Sequence, residues 1–315
     1  LSEEETPGKF NAKHVQLQNI IANISLKALS KDSMNLGIKR LSLDEKASGF
    51  SLKKLSLKLV ANNKQTNIDN FVIELPETSL KMDTIHLVYD SLQAFNHFAE
   101  QVRFSFRTLP SQVTLKDISA FVPVLSHFKE SLALDMEVKG TVDQLTCSRL
   151  EITADDRQFR LRGDVSLQDL SHPQDAYVYG TLSELSANTR GVGFLVRNLN
   201  QNYNGVPPVL ERLGDVNFRG EISGYFTDLV TYGQLRTSLG NVKTDLKLST
   251  DKSKGLFAYS GAVKTEDFKL GELLANEQLG EITFNLDVHS RHITDRLPVV
   301  ELKGLIASID YSRYR

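Results

Sequence analysis

Seven histidines, His14, His86, His97, His127, His172, His289 and His292, are the side chains here best suited to proton transfer or metal binding near neutral pH. Only His289 and His292 lie close together, three residues apart beside Arg291 and Asp295. A zinc site of the metalloprotease kind needs two histidines one helical turn apart with a glutamate between them, and no His-Glu-x-x-His occurs. The pair reads as a solvent-exposed loop. Gly191-Val192-Gly193 opens a helical stretch, but no further Gly or Lys-Ser/Thr follows, so it is a helix-start turn and not a phosphate cradle. Asp155-Asp156 and Glu3-Glu4-Glu5 are adjacent carboxylates in polar segments. Neighbours on a strand point to opposite faces, so neither makes an acid–base pair. No Gly-x-Ser-x-Gly elbow is present. Cys147, the one cysteine, has no disulfide partner within the chain and reads as a small buried or half-buried side chain. These residues predict a protein that is not an enzyme and carries no cofactor and no metal.

The elements that could position any site are strands. Apolar residues alternate with polar ones: Ile24, Leu26 and Ala28; Leu55, Leu57 and Leu59; Phe71, Ile73 and Leu75; Val102, Phe104 and Phe106; Leu132, Leu134, Met136 and Val138; Ile282, Phe284, Leu286 and Val288. A period of two puts each set on one face of a sheet and leaves the other face wet. Polar turns separate them, as at Asn62-Asn63-Lys64-Gln65, Ala154-Asp155-Asp156-Arg157 and Thr250-Asp251-Lys252-Ser253. The apolar parity slips at Lys53-Lys54, which predicts a bulge. Four segments have helical spacing instead: Leu92 to Val102, Ile118 to Phe128 with Asp117 as N-cap, Val192 to Leu199, and a short one near Leu270–Leu279. They are expected to cover a sheet end or an apolar face.

A motif of apolar, any, Gly, any, apolar recurs at Gly140, Gly163, Gly180, Gly220, Gly261 and Gly304. Omitting Gly163, the steps are 40, 40, 41 and 43 residues, which predicts a repeat array. These glycines share parity with the apolar faces, where missing bulk lets a sheet bend or lets another group come close.

Charge excludes some partners. A net charge of −2 with interspersed Lys, Arg, Asp and Glu gives no basic surface for nucleic acid and no acidic tail. No run reaches the roughly 18 apolar residues of a membrane helix. The first residues are acidic without an initial Met and the last are still alternating, so both ends read as cut from a longer protein.

Two stretches of the first part resemble an AsmA-like signature: Gly49-Phe50-Ser51-Leu52-Lys53-Lys54-Leu55-Ser56-Leu57-Lys58-Leu59, followed by Ile68-Asp69-Asn70-Phe71-Val72-Ile73-Glu74-Leu75-Pro76-Glu77-Thr78. Gly271-Glu272-Leu273-Leu274 with Leu279-Gly280-Glu281-Ile282-Thr283-Phe284, and Val192-Gly193-Phe194-Leu195-Val196-Arg197-Asn198-Leu199, are similar to the linkers that open a repeat in the TamB/AsmA-like family. The resemblance implies an internal fragment of a periplasmic protein, anchored in the inner membrane through an N-terminal segment not in this sequence. It implies a long apolar groove carrying phospholipids toward the outer membrane, with phospholipid acyl chains and outer-membrane assembly proteins as partners. The alternative it implies is an assembly and translocation module for outer-membrane β-barrel proteins.

The expected fold is all-β: an elongated, curved, taco-like repeat sheet with an apolar concave face and a few short helices. Residues 1–130 are expected to form an AsmA-like β segment ending in short helices. Residues 131–315 are expected to form β repeats of about 40 residues that continue the same sheet. Lining a groove, the residues named are Phe159, Leu161, Val165, Phe218, Leu246, Leu248, Phe257, Tyr259, Val263, Phe284 and Leu286. A chaperone-like module would instead offer a sheet edge to a client strand. A carbohydrate-active adhesin would want aromatic platforms and clustered carboxylates on the wet face, yet Trp is absent and Tyr is sparse.

Overall fold

In a computed structural model of the chain, the described residues are 8–11, 14–30, 32–121, 125–126, 128–154, 157–172, 175–199, 206, 208–225, 227–251, 256–291 and 299–312. The protein is all-β, with antiparallel strands and a few short helices. It divides into two compact units, Leu1–Asp156 and Arg157–Arg315. The division lies at 156/157, whereas the change of sequence character was expected at 130/131.

The first unit is a meander of β1 (Leu17–Leu29), β2 (Ser33–Glu45), β3 (Ser51–Asn62), β4 (Gln65–Glu74), β5 (Ser79–Val88), β6 (Arg103–Thr108), β7 (Ser111–Thr114), β8 (Ser131–Gly140) and β9 (Gln144–Ala154). β6 and β7 both pair with β5 and with β8, so they act as one strand broken at Leu109-Pro110. Pro110 has no N–H to give a ladder. Hydroxyls bridge the break: Thr108 Oγ1 accepts from the Met136 N–H (2.8 Å), and Ser111 Oγ accepts from the Lys81 N–H (2.9 Å).

The slip at Lys53-Lys54 is present. Leu41 pairs with Leu55 but Leu43 pairs with Leu52, so β3 carries one extra residue there. The turn at Asn62 closes because its Oδ1 accepts the N–H groups of Lys64 (2.8 Å) and Gln65 (3.0 Å).

Helical turns close the ends of this sheet. Leu92–His97 (η1, a 3-10 turn) runs into α1 (Phe98–Gln101). Together they seat Ala94 beside Tyr89 and Val102, all buried, with the Phe95 ring edge-on to Tyr89 at 4.8 Å. The expected helix after Asp117 is corrected in its first part: Asp117 lies inside the 3-10 turn Leu115–Ile118 (η2), with Thr114 at its N-cap position, and residues 119–121 are turns, while Val122 lies outside the described residues. Asp117 serves elsewhere, its carboxylate accepting the Glu77 N–H at 2.9 Å. At the other end, Glu45 is 3% exposed. Its carboxylate accepts the N–H groups of Gln16 (3.0 Å), Ala47 (3.2 Å) and Ser48 (2.7 Å) and the Ser48 hydroxyl. The Ser48 hydroxyl, then the Gln16 N–H, hold its pKa down from 4.5 to about 2.

The second unit contains β10 (Phe159–Gln168), β11 (Tyr177–Ala187), β12 (Val216–Tyr225), β13 (Asp228–Thr237), β14 (Gly240–Asp251), β15 (Leu256–Lys269), β16 (Leu279–Arg291) and β17 (Val299–Tyr311). Each pairs antiparallel with the next. Between β11 and β12 lie α2 (Thr189–Leu199) and α3 (Pro208–Arg212), and α4 (Leu270–Leu274) precedes β16.

The glycine spacing does not count strands evenly. Gly180, Gly220, Gly261 and Gly304 fall on β11, β12, β15 and β17, which are one, three and two strands apart. The helical excursion between β11 and β12 takes up the length of the missing strands. What the glycines share is a mid-strand place on one face.

Candidate functional site

Directly paired residues of an antiparallel ladder share a face. Following the second unit's register, Leu161 pairs with Leu185, which pairs with Phe218, which pairs with Leu235 and then Val242. A second row runs from Val165 through Gly180, Ile222, Thr231, Leu246 and Gly261 to Val288. Between these rows stand Gly163, Leu182, Gly220, Gly233, Thr244, Val263, Leu286 and Gly304. All eleven sequence-predicted positions fall in the alternation of this one face. Throughout β10–β17 its register positions carry only apolar, Gly, Ser or Thr residues, and no charge.

The eleven do not form one uniform lining. Phe159 is 6% exposed and packs on Phe194 of α2 at 5.5 Å between ring centroids. Phe284 packs against the buried cluster of Leu239, Phe268 and Ile282, which Leu213, Leu270 and Leu273 cover from the helical segments. These two belong to a capped end of the face. Leu161, Val165, Phe218, Leu246, Tyr259, Val263 and Leu286 are half-buried, and Leu248 is 40% exposed. Phe257 pairs with Thr250 in the backbone register, and its side chain lies outside the described residues.

Glycine shapes the middle of the face. Gly220 and Gly233 stand directly opposite one another. A Cβ on Gly220 would lie 2.2 Å from the Tyr232 carbonyl oxygen, and one on Gly233 would lie 2.6 Å from the Phe218 ring. The ring therefore lies over the space that two side chains would need.

The wet face holds the charge. Asp228 pairs with Lys247 (2.8 Å) and accepts the Ser249 hydroxyl (2.6 Å). These two contacts, Lys247 first, keep its pKa below the usual carboxylate value. Sequence reading missed one concentration there. Tyr177 and Tyr225 sit edge-to-face at 5.4 Å, and Tyr179 and Tyr232 stand on the same face at 45% and 65% exposure. The four tyrosines come to one face, and Tyr177 meets Tyr225, only once β11, β12 and β13 are in register.

His289 is corrected from loop to strand. It lies within β16, pairs with Glu301 and is exposed, while His292 falls outside the described residues, as do Asp155 and Asp156. Cys147 is 5% exposed, and its thiol donates to the Arg149 carbonyl at 3.1 Å. Among the described residues no group of His, Cys, Asp and Glu could hold a metal ion, and no helix is long and apolar enough to cross a membrane.

No family model, no curated protein and no solved structure matches the chain.

Proposed function

We propose that the chain is a periplasmic portion of an inner-membrane-anchored envelope protein that carries phospholipids toward the outer membrane. In this reading their acyl chains lie along the second unit's apolar face. The observation that supports it is the absence of charge on that face across eight strands, together with the half-buried state of its middle. An acyl chain leaving water for such a face gains about 0.8 kcal/mol per buried CH₂. A single charged side chain on the path would oppose that gain, and the register has none.

The test is native mass spectrometry with lipid extraction on protein expressed in a Gram-negative host. Phospholipid should co-purify, and Leu246→Asp with Leu248→Asp should remove it while circular dichroism still reports a β fold. Leu246 and Leu248 are chosen because they stand away from the helix-capped end. A wild-type protein that carries no lipid would overturn the reading.

A second reading, an assembly and translocation module for outer-membrane β-barrel proteins, has one feature in its favour. β17 is thirteen residues long and exposed along most of its length, with Leu302, Leu305 and Ile306 more than half exposed, and within its unit it pairs with β16 alone. Such a strand can accept another. A client peptide that cross-links to residues 299–311 in a lipid-free preparation would favour this reading over the first.

A further inference from the structure

On the wet face of the second unit, Lys243 of β14 stands directly opposite Lys264 of β15. Like charges in directly paired positions of a sheet oppose each other, and stability alone selects against them. The same row continues through Gln234 to Arg219, three cations in four places, and beyond Arg219 it meets the bulge at Ser183-Glu184, whose carboxylate is already paired with Arg162 at 3.6 Å. Lys264 has a contact to Glu266 at 3.4 Å along its own strand. Arg219 and Lys243 have no ion pair among the described residues.

The next row, two residues along the strands and so roughly 7 Å away, has the opposite character. It runs Thr181, Glu221, Tyr232, Asp245. The carboxylates of Glu221 and Asp245 likewise have no hydrogen bond or ion pair among the described residues. Both rows line one cavity of ≈ 480 Å³, whose floor includes Gly220 and Gly233. A smaller cavity of ≈ 260 Å³ adjoins it and shares Gln234, Lys243 and Lys264. The volume of the first falls in the range of small-molecule sites, roughly 300–1,000 Å³.

We infer that this cavity binds an anionic saccharide, a sugar bearing a phosphate or carboxylate group. The cation row takes the acidic group, and arginine supplies the planar donor pair that suits it. Glu221, Asp245 and the Gln234 amide accept and donate to the hydroxyls. The Tyr232 ring, 65% exposed, offers a flat apolar surface to the C–H face of the pyranose. A plain anion would leave the two carboxylates unmatched, and a neutral sugar would leave the opposed lysines unmatched. Leu182, Gly220, Gly233 and Thr244 of the apolar face's middle row also line this cavity, but the groups that meet the ligand are those of the wet face, so the inference does not depend on what the apolar rows carry.

The test is isothermal titration calorimetry of the 315-residue chain with glucose 6-phosphate, glucuronic acid, glucose and inorganic phosphate at low ionic strength. One of the two acidic sugars should bind at least ten-fold more tightly than glucose and than inorganic phosphate. Which of the two prevails identifies the acidic group. Lys243→Gln should weaken that binding about ten-fold or more without lowering the thermal midpoint, because it also removes the opposed charge. Tyr232→Ala should weaken it while leaving the midpoint unchanged. Inorganic phosphate binding as tightly as the acidic sugars, no binding of either acidic sugar, or unchanged binding by Lys243→Gln would each overturn the inference.

Discussion

Gly220 and Gly233 face each other across β12 and β13, and the ring of Phe218 lies against the place where either would carry a Cβ. Adding a methyl group at Gly233 therefore displaces an aromatic ring and presses on the Arg219 carbonyl oxygen, 2.4 Å from the new carbon. Overpacking of this kind costs about 1–3 kcal/mol. Gly233→Ala should lower stability by that amount in urea denaturation. The double variant with Phe218→Leu should recover part of it, because the smaller side chain vacates the contact. A Gly233→Ala protein as stable as the wild type would show that the ring can move aside freely.

The capped and open parts of the apolar face should respond differently to truncation. Phe268, 6% exposed beneath α4, belongs to the cluster with Leu239 and Ile282. Phe268→Ala should cost about 3–5 kcal/mol. Leu248, 40% exposed, should cost well under half of that when changed to Ala. Thermal denaturation of the two variants side by side checks the ranking, and equal losses would mean the open rows are packed as tightly as the covered end.

Glu45 makes the stability of the first unit depend on pH. Its folded pKa, about 2, lies below the ordinary 4.5 because the charged carboxylate accepts the Ser48 hydroxyl and backbone N–H groups. A depressed folded pKa means that the contribution is complete above about pH 4.5 and is lost as pH falls toward 2. Glu45→Gln should lower stability at pH 7 and flatten the loss between those values. Denaturation midpoints across that range would show it, and parallel curves for the two proteins would refute the assignment.

Tyr89 ties the end of the first sheet together. Its hydroxyl donates to the Asn62 carbonyl at 2.7 Å and meets Thr66 Oγ1 at 2.9 Å, with the residue 3% exposed. Tyr89→Phe keeps the ring against Ala94 and Phe95 but leaves the carbonyl without this donor. The expected cost is about 1–3 kcal/mol, measured by denaturation. Hydrogen exchange should rise at Lys64 and Gln65, whose N–H groups close the adjacent turn.

Local alternation was enough to read the strands and to place every predicted groove position on one face. The polar partner of each apolar residue is its immediate neighbour in sequence, so no tertiary information is needed. The slip at Lys53-Lys54 was legible for the same reason. The helix after Asp117 was not, because Asp117 accepts the Glu77 N–H, a partner forty residues away that no local pattern shows. Nor was the uneven strand count between glycines, since helices and strands can fill equal lengths of chain. The covered end escaped notice because Phe159 and Phe284 look like any other alternating aromatic until α2 and α4 fold back. Opposed lysines and gathered tyrosines require cross-strand register, which sequence alone leaves open.

Nearest-neighbour pairing throughout the second unit also bears on how the chain acquires its structure. Each strand from β11 to β17 meets the one just made, so most ladders close over a short loop. Low contact order of this sort speeds folding relative to sandwiches with crossed connections. The exception is β11 with β12, where residues 188–215 must first form their helices or be looped out. Within this unit that junction carries the largest loop-closure cost, so the β10–β11 hairpin is expected to form before β12 adds to it.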